Sequence, residues 1–190
     1  MTTAGAPEAA ALTVGALISV ERRLGTAAEL AGELATSLHR READLAEIWV
    51  QTRKISHADE PRPYLHHAVD LAALTERGLQ TSADVGDELL VYLDLARKDL
   101  LFGSETIAES ASLAEAAGMS APELGDLPHR VGHLGRIIQS ATGGAERVSA
   151  HLEAAEQAVG ELARRPSFAV SEDGEKALRL PLSSMSATLT

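Results

Sequence analysis

The chain has 190 residues, 45 % hydrophobic and 24 % charged, which is apolar enough to bury a core and the right length for one domain with or without a tail. It contains no cysteine, which excludes disulfides, a thiol nucleophile and thiolate metal sites. It has only five aromatic residues (Trp49, Tyr64, Tyr92, Phe102, Phe168), too few for aromatic cages, base-stacking platforms or a broad small-molecule pocket. The formal charge of −11 is concentrated between residues 84 and 127, where ten acids face only Arg97 and Lys98; this is the wrong sign for a phosphate backbone and argues against nucleic-acid binding.

A basic partner surface, or simple solvation of one helix face, fits that acidic stretch. Arg outnumbers Lys 14 to 3 and Ala is abundant, a usage associated with GC-rich bacterial genomes. The apolar stretch Ala9 to Val20 has no basic residue before it and no good cleavage site after it, so it does not read as a signal peptide. Interrupted by Thr13, Gly15 and Ser19, it is also too short to span a bilayer, and a cytoplasmic protein is expected. The same stretch could serve as a docking segment.

The first element is a seam of apolar residues at alternating steps of three and four: Leu24, Ala27, Ala31, Leu34, Leu38, Arg41, Leu45, Ile48, Thr52 and Ile55. It extends backwards through Val20, Leu17, Thr13 and Ala10, so Pro7 could start one very long helix. Gly15 and Gly25 each cost about 1 kcal/mol relative to Ala within a helix, so a break near Gly25 is an equal alternative. After the breaker Asp59-Glu60-Pro61-Arg62-Pro63 a shorter helix is expected from about Pro63 to Gly78.

The next helix is placed at about Asp84 to Ala117, on the seam Leu89, Leu93, Ala96, Leu100, Gly103, Ile107, Ser110, Ala114 and Ala117, with Gly118 as its C-cap. Ser120 to Leu127 reads as a turn in which Ser120 and Glu123 have the spacing of a capping box. A last long helix runs from about Pro128 to Arg164 on the most regular seam: Val131, Leu134, Ile138, Ala141, Ala145, Val148, Leu152, Ala155, Val159 and Leu162. Beyond Pro166, Phe168-Ala-Val170 and Ala177-Leu178-Arg-Leu180 flank Asp173-Gly174, so residues 166–190 are expected to form either a partly disordered tail or a small hairpin or docking peptide, with disorder expected from Ser183 to Thr190.

These elements predict an all-α fold: an up-and-down bundle of four to five long helices with coiled-coil-like heptad packing over residues 1–165, followed by the short C-terminal tail. Many seam positions are Ala, which bury little area at about 25 cal/mol per Å², so added stability from a partner chain is expected.

Few residues could carry chemistry. His129-Arg-Val-Gly-His133-Leu-Gly135 places two imidazoles at i and i+4 on one helix face, a spacing that can chelate a metal. The segment resembles the His-x-x-x-His-x-Gly stretch of DinB-like bundles, metal-dependent helical proteins that include mycothiol-dependent enzymes. The resemblance spans seven residues, with Arg136 where that family usually has Gln, and implies metal ligation by His129 and His133. The heptad phase set by Val131 and Leu134 instead turns both histidines away from the seam, toward water. His66, His67 and Asp70 form a second cluster, but adjacent histidines point about 100° apart on a helix and do not converge readily on one ion.

Arg41 interrupts its seam, where it either fixes register by pairing with an acid such as Asp94 or Asp99, or snorkels to water. Trp49, beside Ile48, is a core-edge residue or a partner contact. No phosphate-binding loop, nucleophile elbow or paired-carboxylate motif is present. The expected function is therefore a non-catalytic one, without cofactor: protein–protein interaction or self-assembly with copies of itself or another helical protein, its interface residues including Arg41, Trp49, Asp94 and Asp99. The alternative is a metal-dependent helical enzyme using His129 and His133, with a third ligand from the His66, His67 and Asp70 group.

Overall fold

The computed structural model describes residues 5–116 and 125–165. They form three α-helices, α1 (Gly5–His57), α2 (Arg62–Ala116) and α3 (Leu127–Arg164), and no strand occurs among the described residues. No helix among them is long and apolar enough to cross a membrane. The expected capping box at Ser120 and Glu123, the C-cap at Gly118 and the tail or hairpin after Pro166 lie outside the described residues.

The all-α class holds, but the described residues form three helices and not four or five. α2 runs unbroken through 79–83, where a connection between two helices was expected. The small residues in and around this stretch are helix-packing positions. The Arg41 side chain of α1 lies across Gly78. Buried Ser82 sends its hydroxyl back to the Gly78 carbonyl at 2.9 Å and meets the Ser37 hydroxyl at 2.7 Å. A Cβ on Gly86 would lie 3.4 Å from Ser149 Oγ and 3.9 Å from Leu34. Glycine's local cost of about 1 kcal/mol is thus offset by close approach of two neighbouring helices. α1 likewise continues through Gly15 and Gly25, which selects the single long helix from the two alternatives.

The helix ends follow local rules. α1 stops at His57, ahead of Pro61, and the Pro61 carbonyl accepts the first turn of α2 from the Leu65 amide at 3.0 Å. Gly125 turns the chain into α3 with φ +48°, a left-handed conformation that glycine adopts without Cβ strain. The Asp126 carbonyl then accepts the Arg130 amide at 3.0 Å, with Pro128 in the first turn, where its missing N–H is no loss.

The helices contribute segments to two compact units. One comprises Met1–Glu29 and Leu89–Gly143. Its core holds Leu17 and Val20 of α1, Ala96, Leu100 and Ile107 of α2, and Leu127 and Ile138 of α3, with Ala10, Leu24, Val131 and Leu134 packed around them. α1 and α2 are antiparallel here, since Ala16 faces Gly103 while Ser19 and Arg23 reach Asp99; Gly135 of α3 rests on Leu100.

The other unit comprises Leu30–Glu88 and Gly144–Thr190. Leu34, Leu38, Leu45 and Ile48 of α1 and Ala68, Ala72 and Leu79 of α2 are buried, as are Val148, Leu152, Val159 and Leu162 of α3. Buried Thr52 and Thr75 satisfy their hydroxyls on the carbonyls four residues back, Ile48 and Leu71, both at 2.8 Å, so polar residues are accommodated inside without a partner helix.

Candidate functional site

The residues singled out by sequence are built from these segments. Arg41, on the core-facing side of α1, is drawn inward by its seam position, yet its charge must be met. Its Nη1 pairs with Asp44, three residues on, at 2.8 Å, while its stem and guanidinium fill the space above Gly78. Antiparallel register within the unit of Leu30–Glu88 and Gly144–Thr190 brings Arg41 opposite Gly78, while Asp94 and Asp99, the acids considered as its partners, are engaged inside the other unit. The Arg41 Nε is buried without a hydrogen-bond partner, which makes the pair weaker than a bidentate one.

Asp99 accepts the Ser19 hydroxyl and Arg23 Nε, each at 2.6 Å on the same Oδ2, joining α2 to α1 across nearly 80 residues of sequence. Burial pushes the Asp99 carboxyl up, and the Ser19 hydroxyl and Arg23 guanidinium more than offset this, so its pKa lies below the ordinary carboxylate value. Asp94 collects both cations of its own helix, Lys98 Nζ and Arg97 Nη2, each at 2.7 Å, and hydrogen bonds from Lys98 first and Arg97 second hold its pKa below the ordinary value. Trp49 is half-buried, with the Arg53 guanidinium 4.8 Å from its ring centroid.

His129 and His133 are exposed on α3, while Ile138, Val148 and Leu152 of the same helix are buried at 2, 0 and 1 % exposure. Together with Glu21, Arg130 and Leu134, the two histidines line an open cavity of about 280 Å³. Glu21, the one carboxylate there, is engaged by Arg130 Nη2 at 2.9 Å. His66, His67 and Asp70 are all exposed on α2. Among the described residues, no three His, Asp or Glu side chains converge to hold a metal ion.

Sequence reasoning missed Ser19, Arg23 and the Glu21–Arg130 bridge. The signal for the last was weak: two opposite charges on helices whose register no local pattern specifies. It also missed how much apolar surface remains uncovered. Leu12, Val14 and Ile18 of α1 are 49, 42 and 61 % exposed, Val91, Leu101 and Phe102 of α2 are 55, 51 and 51 % exposed, and Ile137 of α3 is 41 % exposed. Ile18 illustrates why: it follows buried Leu17 but points about 100° away from it. Compared with protein-family models, with curated proteins and with solved structures, the chain matches none of them.

Proposed function

We propose that this chain is a non-catalytic helical protein that works through contact with another helical protein or with copies of itself, as a structural, scaffold or accessory subunit in a bacterial cytoplasm. Heptad packing of its seams belongs to the same reading, since it leaves the remaining apolar residues as surplus surface. One observation carries it. In the unit of Met1–Glu29 and Leu89–Gly143, half-exposed large apolar side chains stand on all three helices, with Val14 and Ile18 one turn apart and Leu101 and Phe102 adjacent. Scattered single residues of this kind are ordinary, whereas grouped ones mark contact surfaces.

The test is sedimentation of the purified chain across a concentration series, repeated with Ile18→Lys. Concentration-dependent assembly, or binding to a co-purified helical partner, that weakens in the variant supports the reading. A chain that stays monomeric up to about 100 µM and binds no partner would remove it.

A further inference from the structure

In the unit of Met1–Glu29 and Leu89–Gly143, charge is sorted by helix. On α2, Glu105 and Glu109 stand one turn apart, exposed, next to exposed Leu101 and Phe102. Neither glutamate has an ion-pair partner among the described residues: no Lys or Arg stands within four positions of either, and Arg97 and Lys98, two turns or more away, are engaged by Asp94. α3 is the reverse. From Leu127 to Gly143 it contains no acid, and His129, His133, Arg136 and Ser140, all exposed, fall within about 60° of one another around the helix. Arg130 is held by Glu21, whereas Arg136 pairs with nothing among the described residues; Ile137 beside it is 41 % exposed.

Among the described residues the unit thus presents an α2 face with two unpaired carboxylates and an α3 face with one unpaired guanidinium, each edged with uncovered apolar side chains. We propose that they are each other's counterpart: the α3 face of a second copy docks on the α2 face of the first, Arg136 meeting Glu105 and Glu109, with Ile137, Leu101 and Phe102 covered at the edges. This deepens the interaction reading above, on which it rests, by naming the partner and the surfaces. A second copy is the fitting occupant because it carries the complementary charge. Gly135 rests on Leu100, so the two faces lie along the same stretch of the unit, and a two-fold arrangement can form the contact twice. The net charge of −11 opposes association at long range, but at about 0.15 M salt the Debye length is about 8 Å, which leaves close pairs as the deciding electrostatic effect.

The experiment is sedimentation velocity of the full chain at that ionic strength with charge reversal and rescue. Wild type is expected to self-associate. Arg136→Glu alone and Glu105→Lys with Glu109→Lys are each expected to weaken association about ten-fold or more, and the chain carrying all three substitutions to regain it. All three positions are exposed, so the melting temperature should hold in every variant and reports folding separately. Three results would overturn the proposal: a wild type monomeric to about 100 µM, reversals that leave association unchanged, or reversals that weaken it without rescue in the triple variant. Assembly indifferent to both reversals but lost in Ile18→Lys leaves the interaction reading intact and moves the contact to α1.

Discussion

Arg41 of α1 occupies the space that a side chain on Gly78 of α2 would need: a Cβ there would lie 2.6 Å from Arg41 Cζ and 2.9 Å from Cδ. The overlap reaches Cδ as well as the guanidinium, so the arginine would have to leave the position in which it pairs with Asp44. The missing side chain is the receptacle for a charged residue on an otherwise apolar stripe. Gly78→Ala is expected to destabilise the wild type despite alanine's helix advantage of about 1 kcal/mol, and to stabilise an Arg41→Ala background by up to about that amount. A double-mutant cycle by urea denaturation measures this; equal effects in both backgrounds would show the two residues uncoupled.

Asp99 ties α2 to α1 through Ser19 and Arg23, with side chains of Asp99 and Arg23 about one quarter exposed. Because the folded-state pKa of Asp99 is lowered, the contribution of the cluster is complete above the ordinary carboxylate value of about 4 and is lost as pH falls through that value and below it. Asp99→Asn is therefore expected to cost about 1 kcal/mol at pH 7, with the gap to wild type closing in acid. Stability curves for both proteins from pH 7 to about pH 3 check the sign; a gap that widened in acid would contradict it.

Leu152 of α3 is 1 % exposed and Leu74 of α2 is 59 % exposed, so the same substitution separates them. Leu152→Ala is expected to lose about 2–5 kcal/mol through lost apolar burial and the cavity left behind. Leu74→Ala should stay within about 0.5 kcal/mol of wild type. Thermal and urea unfolding of the pair decide it.

Gly25 and Gly32 lie inside α1, and a Cβ at either would meet no atom within 4 Å. Replacing each by Ala is expected to add about 0.5–1 kcal/mol through reduced freedom of the unfolded chain. A fall in melting temperature on either change would mean that these positions serve a contact the isolated chain does not show.

What sequence alone determined here is what depends on period and punctuation. The stripe through Ile138, Ala145, Val148, Leu152, Ala155, Val159 and Leu162 is buried, the last helix ends where Arg164 precedes Pro166, and His129 and His133 face outward. These properties follow from side-chain direction along one helix, which a repeat in the sequence encodes directly. Even so, Ala141, on the same repeat, is exposed. Tertiary structure alone decided whether Gly78 ends a helix or admits a neighbour, because a small residue satisfies both conditions and only the helix packed against it distinguishes the two. It also decided that Arg41 lies over Gly78 and that Asp99 binds Ser19 and Arg23. Such partnerships depend on the register between helices far apart in sequence, and a one-turn shift of about 5.4 Å would exchange every partner while leaving each stripe unchanged.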